Sequence, residues 1–163
     1  MGKSTPVFQK NWVTDIVDPA TRSRMMSGIR SENTKPEILL RRALHKNGFR
    51  YRLHDSRIPG KPDIVFPKYH AVLFVHGCFW HGHECPLFRM PGTRNEFWQD
   101  KIRKNQERDT VVRKKIKETG WRLGIVWECS LKGKGRISPE EIVKRIVAWL
   151  ESDTREIEIR RVS

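Results

Sequence analysis

Reactive side chains are concentrated between residues 76 and 85, where three histidines, two of the chain's three cysteines and a Phe-Trp pair fall close together. Four soft ligands can surround one cation if this segment folds back on itself and meets a later cysteine: Cys78, His83, Cys85 and Cys129. Thiolates and imidazole in a set of four are typical of a closed, structural Zn²⁺ site. Free cysteines are often simply buried hydrophobic residues, but Cys78 and Cys85 stand in a polar, histidine-rich segment. The spacing also allows His81 to replace His83 as a ligand.

Two histidines of this segment, His76 and His81, have no place in that ligand set. An imidazole with a pKa near neutrality can take a proton from water or give one to a leaving alkoxide. An isolated histidine is usually an ordinary surface or core residue. A pair of them beside a predicted metal site in a strongly basic chain is instead a candidate for acid–base catalysis in a hydrolase.

Two carboxylates could supply a second, harder metal site. Asp63 opens the hydrophobic run Ile-Val-Phe, and Glu37 closes the motif Thr34-Lys-Pro-Glu37. Each has an ordinary explanation, because aspartate favours turns and a glutamate at that spacing completes a helix capping box. If the strands that contain Asp63 and Val75 pair, the Asp63 carboxylate lies near backbone carbonyls and can bind a hard cation such as Mg²⁺. Phosphoryl transfer needs such a cation to offset the charge that develops on the phosphate.

Phe79 and Trp80 stand between the predicted Zn²⁺ ligands. An aromatic pair taken at random belongs to a hydrophobic core, but here the metal would occupy the interior of the loop and push the rings outwards. Apolar side chains presented rigidly by a basic protein suit insertion between base pairs, where contacts to the bent duplex offset the cost of unstacking. The basic segment around Met25 and Met26 could contribute a second wedge.

The overall charge points to a polyanionic partner. The chain has 163 residues with 33 Lys and Arg against 19 Asp and Glu, a net charge of +14, and such an excess is typical of nucleic-acid binding. We expect no membrane partner, because no segment reaches the eighteen or so apolar residues of a spanning helix and no signal peptide opens the chain. An odd number of cysteines suits a reduced compartment and a metal. The sequence therefore predicts a cytoplasmic, nucleic-acid-directed protein.

Hydrophobic periodicity predicts an α/β protein with a single core. The elements come in the order helix, three strands, long helix, strand and helix: 34–47, 49–53, 63–66, 71–75, 97–120, 121–127 and 138–150. Capping motifs precede the three helices: Thr34–Glu37, Thr93–Glu96 and Ser138–Glu141. The strand after the long helix is expected to run parallel with an earlier one, giving a mixed sheet flanked by helices. We expect a flexible arm at residues 1–19, the domain at 20–150, and a charged tail without stable structure at 151–163.

Five motifs in fixed order resemble those of the very-short-patch-repair (Vsr) mismatch endonuclease family: Ala20-Thr-Arg-Ser-Arg-Met-Met26, Pro59-Gly-Lys-Pro-Asp63, His76-Gly-Cys-Phe-Trp-His81, Lys104-Asn-Gln-Glu-Arg-Asp109 and Val126-Trp-Glu-Cys129. The resemblance covers residues 20 to about 133. It implies a restriction-endonuclease-like fold with structural Zn²⁺, and an enzyme that nicks double-stranded DNA beside the thymine of a T:G mismatch, the lesion left by deamination of 5-methylcytosine. One active site that makes one nick needs only a monomer.

The resemblance also implies roles for individual residues. Asp63 would bind Mg²⁺ and His81 would be the principal acid–base group, while His76 and Glu37 would support the water shell of the metal and Asp109 would orient a catalytic group. The Zn²⁺ ligands and the intercalating residues would be those already named: Cys78, His83, Cys85 and Cys129 for the metal, and Phe79, Trp80 and Met26 for the wedge. Val75 departs from the family pattern, where threonine can occur. Its backbone carbonyl would still serve as a ligand of Mg²⁺.

The resulting hypothesis is a Mg²⁺-dependent endonuclease that cuts 5′ to the mispaired thymine. Two alternatives share the positive charge and the aromatic pair. One is a Zn²⁺-stabilised protein that binds distorted duplex without cutting it, and the other is an RNA-directed nuclease or binding module.

Overall fold

The computed structural model describes residues 18–27 and 32–163, without the side chains of residues 22 and 25–27. The predicted flexible arm therefore lies almost wholly outside the described residues, as does the side chain of Met26. Five α-helices are described: α1 (Pro19–Ser27), α2 (Lys35–Lys46), α3 (Asn95–Glu118), α4 (Glu128–Leu131) and α5 (Pro139–Leu150). Five strands form one sheet: β1 (Arg52–Leu53), β2 (Ile64–Phe66), β3 (Ala71–His76), β4 (Arg122–Trp127) and β5 (Glu156–Ile159).

The strands lie in the sheet in chain order, from β1 to β5. β1, β2 and β3 form an antiparallel meander, whereas β4 is parallel to β3 and β5 is parallel to β4. A parallel neighbour needs a crossover connection, and the long helix α3 provides it between β3 and β4. The predicted mixed sheet, and the predicted parallel strand after the long helix, are confirmed.

Helices cover both faces of the sheet. On one face, α2 and α5 pack their apolar stripes against β2 and β3, with Leu40, Leu44, Ile142 and Ile146 each fully buried. On the other face, α3 packs against alternate residues of β3 and β4 through the fully buried Ile116. Full burial of each such side chain contributes about 1.5–3 kcal/mol. Alternation along β3 places His76 on the same face as α3, and this placement determines the site described below.

Two of the three predicted capping motifs form. The Thr34 hydroxyl accepts a hydrogen bond from the Glu37 backbone N–H at 3.4 Å, and Ser138 caps α5 by accepting from the Glu141 N–H at 3.2 Å. The prediction of a capping box at Thr93–Glu96 was wrong. The residue before α3 is Arg94, which has a left-handed backbone (φ 55°) and makes no side-chain cap, so the chain enters this helix through a turn that the capping pattern did not reveal.

The C-terminal segment differs most from its prediction. Residues 151–163 were expected to lack stable structure, but Glu156–Ile159 forms β5 and pairs with β4 over four residues. The physical reason is its alternation: Ile157 and Ile159 pack against the core on the α2–α5 face, while the charged residues between them face the other way. The predicted strand at 49–53 is shorter than expected, since only Arg52–Leu53 pairs with β2.

Candidate active site and metal centre

Three cysteines and a histidine converge in the loop after β3. The ligand atoms of Cys78, His83, Cys85 and Cys129 all lie within 4.8 Å of one another, and the Cys129 sulfur is 3.7 Å from His83 Nδ1. Ligands at the usual Zn–S and Zn–N distances stand about 3.6 Å apart in a tetrahedron, so the spacing suits Zn²⁺. Of the two histidines that the spacing allowed, His83 lies in this cluster and His81 does not.

The chemistry of these donors also suits a cation. Burial raises the pKa of the thiols of Cys78 and Cys129, and burial lowers the pKa of the His83 imidazole. A bound cation would offset the cost of forming thiolates in this buried position, and His83 is already held in its neutral, metal-binding form. The residues present therefore fit a structural metal site with four protein ligands.

The loop after β3 that carries Cys78, His83 and Cys85, which we call the metal loop, is held by hydrogen bonds to α3 and to the residue that follows β4. Asn105 of α3 donates a hydrogen bond to the Trp80 carbonyl at 2.8 Å, and Gln106 donates to the His81 carbonyl at 3.3 Å. On the other side, the Cys78 backbone N–H donates to Glu128 at 3.2 Å. The polar middle of α3, which breaks its apolar periodicity, is thus explained by contacts to this loop.

A pair of stacked imidazoles lies beside the metal loop. The rings of His76 and His81 are 3.8 Å apart and nearly parallel, at 4°, and His81 Nδ1 is 2.5 Å from a carboxylate oxygen of Asp109 on α3. A carboxylate at Nδ1 holds the ring in the tautomer that leaves Nε2 available to a substrate. Burial, with the adjacent His81 adding to it, lowers the pKa of His76 to about 3. His76 is therefore neutral at physiological pH.

A second cluster joins two carboxylates and a histidine. His54 lies between Glu37 and Asp63, with its Nε2 3.7 Å from a Glu37 oxygen and its Nδ1 3.8 Å from an Asp63 oxygen. The Val75 backbone N–H donates to the other oxygen of Asp63 at 2.7 Å. Glu37 both completes the α2 capping box and reaches this cluster, so its two interpretations are compatible. The three ligand atoms lie within 4.8 Å of one another, which suits one small cation.

The electrostatics of Asp63 also favour a cation. Burial raises the pKa of this carboxyl to about 7; the Val75 N–H opposes the rise, and the Glu37 carboxylate adds to it. The side chains of Glu37 and Asp63 are only 3% and 15% exposed, so little solvent is available to disperse the charge of the two carboxylates. A bound divalent ion would remove this penalty.

Asp63 should make the protein less stable as the pH rises when this site carries no divalent ion. Its folded pKa of about 7 exceeds the ordinary value of 3.8, so the folded state holds the proton more tightly and the free energy of unfolding falls between about pH 4 and pH 7. Three pKa units correspond to at most about 4 kcal/mol. Asp63→Asn should therefore raise the melting temperature above that of the native protein at pH 8.

The measurement is a pair of thermal melts in Mg²⁺-free buffer without a chelator, so that the cysteine site keeps its metal. Near pH 4 the difference between native protein and Asp63→Asn should vanish, because both residues are then neutral and both accept the Val75 N–H. A pH-independent difference would show that the Asp63 carboxylate carries no such penalty.

Consecutive residues at the end of β3 connect the cluster of Glu37, His54 and Asp63 to the imidazole pair. Val75 contacts Asp63, and His76 belongs to the imidazole pair. Because successive strand residues face opposite sides, a phosphate at this strand end can meet carboxylates on one side and imidazoles on the other. His54 was not identified from the sequence, since nothing in its local pattern shows that it meets Glu37 and Asp63.

The aromatic pair belongs to a larger group. Phe79 and Trp80 are in edge contact at 5.1 Å, and both contact Trp98 at the start of α3, at 5.5 and 6.0 Å. Phe88 and Phe97 extend the group, and the Lys101 ammonium lies 5.7 Å from the centre of the Trp80 ring. Phe79 and Trp80 are only half-buried, so they are not ordinary core residues. Trp98 was missed, although Phe97-Trp98 repeats the Phe-Trp pattern.

Comparison with known proteins agrees with this geometry. The DNA mismatch endonuclease Vsr of Escherichia coli (strain K12) is 44% identical over 138 residues, which cover 85% of this chain and 88% of that protein. The family model "DNA mismatch endonuclease Vsr" matches residues 14–87. The chain belongs to the Vsr family. The predicted restriction-endonuclease-like fold and the predicted endonuclease activity are thereby confirmed for this Vsr family member.

Other relatives of this Vsr protein are named as nicking enzymes. The type II nicking enzyme V.XorIIP of Xanthomonas oryzae pv. oryzae is 45% identical, with 77% of this chain and 92% of that protein covered. V.NmeAIP of Neisseria meningitidis serogroup A is 48% identical, with 75% and 87% covered. No described helix of this chain is long and apolar enough to cross a membrane.

Proposed function

We propose that the protein nicks duplex DNA 5′ to the thymine of a T:G mismatch and so starts very short patch repair. The observation that carries this proposal is the junction at the end of β3, where the carboxylate cluster and the imidazole pair flank one position. The relatives named above support it, since one is a mismatch endonuclease and others are nicking enzymes. The enzyme would act as a monomer, because one site that makes one nick needs no partner subunit. Its proposed location is the cytoplasm.

The carboxylate cluster is the proposed Mg²⁺ site. Asp63 and the Val75 carbonyl would bind the ion, and Glu37 would hold its water shell. When bound, Mg²⁺ supplies positive charge that offsets the charge developing on the phosphate. A backbone ligand at Val75 makes the absence of a threonine hydroxyl tolerable.

The imidazole pair is the proposed acid–base group. His81, oriented by Asp109, exchanges a proton through Nε2 with the attacking water or with the leaving oxygen. His76 remains neutral, stacks on His81 and can accept a hydrogen bond from bound water without adding charge. The scissile phosphorus–oxygen bond breaks as the water oxygen adds to phosphorus. The water loses one proton and the leaving oxygen gains one, so one product ends in a hydroxyl and the other in a phosphate.

The cysteine cluster is the proposed Zn²⁺ site, with a structural role. Its four protein ligands leave no position for a reacting water. Zn²⁺ would hold the loop from His76 to Cys85 in register with α3. Phe79 and Trp80 would then open the duplex at the mismatch, with Met26 as a further wedge, and unstacking costs least where a pair is already mismatched.

A panel of duplexes tests this substrate assignment. With Mg²⁺, a duplex carrying one T:G pair should be nicked, while the same duplex with T:A and an RNA duplex of the same sequence should remain intact. Binding of the T:G duplex without cleavage would favour the non-cleaving DNA-binding alternative. Cleavage of the RNA duplex would favour the RNA-directed alternative, and either result would overturn the proposal.

A further inference from the structure

The indole of Trp127 contacts three imidazoles, those of His76, His81 and His83, which are called the active region here. Trp127 ends β4 and is 9% exposed. Its ring is stacked on His83, 4.1 Å away at 10°, and it meets His76 edge-on at 5.2 Å and His81 edge-on at 6.2 Å. One side chain thus touches a proposed Zn²⁺ ligand and both members of the proposed acid–base pair.

The orientation of this indole is set from the C-terminal strand. Trp127 Nε1 donates a hydrogen bond of 2.6 Å to a carboxylate oxygen of Glu158 in β5. Indole has a single donor, so this bond selects one orientation of the ring about its side-chain bonds. A hydrogen bond to an ionised acceptor is also shorter and stronger than one between neutral groups.

Two arginines lie beside the Glu158 carboxylate. Arg160 donates to it at 2.8 Å, and Arg113 of α3 lies 4.0 Å from its other oxygen. Arg113 is one helical turn beyond Asp109, which orients His81. Arg160, which follows β5, and Arg113 of α3 therefore approach different oxygens of the same carboxylate, on the face of the sheet that packs against α3.

We propose that Glu158 is a positioning residue, which acts through Trp127 to hold His76, His81 and His83 in their relative orientation. The C-terminal strand β5 then helps to orient the side chains of the active site. This inference goes beyond the proposed function, and it rests on that function only for the roles of the three imidazoles. Partners behind the directly acting groups commonly change activity or metal affinity by 10- to 100-fold when they are removed.

If Glu158 only stabilised the fold, substitutions at this position would be expected to have a different effect. Its ion pairs are partly solvent-exposed, with Glu158 at 31% and Arg160 at 58%, and such pairs contribute little to stability. The same strand offers a matched control, because Glu156 also faces α3 and pairs with Lys117 at 2.7 Å. Among the described residues, no hydrogen bond or ion pair joins Glu156 to Trp127 or to the three imidazoles. If both glutamates only stabilise the fold, removing Glu158 and removing Glu156 should have similar effects.

The experiment compares Glu158→Ala, Glu158→Gln and Glu156→Ala in the full, metal-loaded chain. Glu158→Ala should lower kcat on the T:G duplex about 10-fold with KM within about twofold, and should move the indole N–H resonance of Trp127 and the imidazole resonances of His76 and His81. Glu158→Gln should restore most of kcat, since its amide oxygen accepts the same bond. Glu156→Ala should match the native protein in every measurement.

The proposal is overturned if Glu158→Ala keeps native kcat and native imidazole resonances, or if Glu156→Ala loses as much activity. It is also overturned if Glu158→Gln behaves as Glu158→Ala does. If the native protein nicks no T:G duplex, the proposed function fails, yet the indole and imidazole resonances still decide whether Glu158 orients these rings. The two failures are therefore distinguishable.

Discussion

Asp63→Asn should reduce nicking of a T:G duplex by about 10³-fold or more while leaving its affinity for that duplex within about threefold. A metal ion contributes several kcal/mol to stabilising charge on phosphate, and about 1.4 kcal/mol corresponds to a tenfold change in rate. Asn keeps the size of Asp63 and can still accept the Val75 N–H, so the local fold should persist. The measurement pairs single-turnover nicking in Mg²⁺ with duplex binding by the same protein samples.

Asp153→Asn is the matched control, because it removes the same charge from an exposed position. In the part of the chain that the structure describes, no hydrogen bond or ion pair joins Asp153 to the site. Its nicking rate should stay within about twofold of the native rate, as is usual for surface substitutions. If Asp63→Asn retained Mg²⁺-dependent nicking near the native rate, Asp63 would not be a metal ligand.

Cys129→Ser should release the metal from the cysteine cluster and abolish nicking. Cys129 is 1% exposed and lies where β4 enters α4, so its loss frees the loop from the sheet. Structural Zn²⁺ contributes about 10–16 kcal/mol of binding free energy in zinc-finger peptides, enough to make the folded loop depend on the metal. Native protein should contain one zinc per chain by elemental analysis, and the variant almost none.

Thiol titration makes this test independent of activity. All three cysteines of the chain belong to the cluster, so the native protein should expose no reactive thiol until a chelator removes the metal, and then three. Cys85→Ser provides a second variant at a half-buried position, in case Cys129→Ser fails to fold. Reaction of all three thiols in the untreated native protein would contradict a closed metal site.

Local patterns predicted the parts of this fold that local physics determines. The α2 capping box depends on residues three apart, and the strand pattern of residues 71–75 follows from continuous burial. The Cys-rich loop could be recognised because most of its ligands lie within ten residues of one another. The mixed sheet followed from the order of these elements.

What the sequence did not reveal depends on contacts between distant segments. β5 is four residues long and half charged, so its strand identity comes from pairing with β4 rather than from its own propensity. His54 meets Glu37 and Asp63, and Glu158 meets Trp127, across different segments of the folded chain. The local sequence patterns around these residues do not reveal such contacts.

The most direct test of the central claim is a map of the cut on a T:G duplex whose two strands carry different end labels. With native protein and Mg²⁺, we predict one cut, in the thymine strand only, at the phosphodiester 5′ to the mispaired thymine, and no cut with Asp63→Asn. Cuts in both strands, a cut at another bond, or equal cutting of a matched T:A duplex would contradict the account.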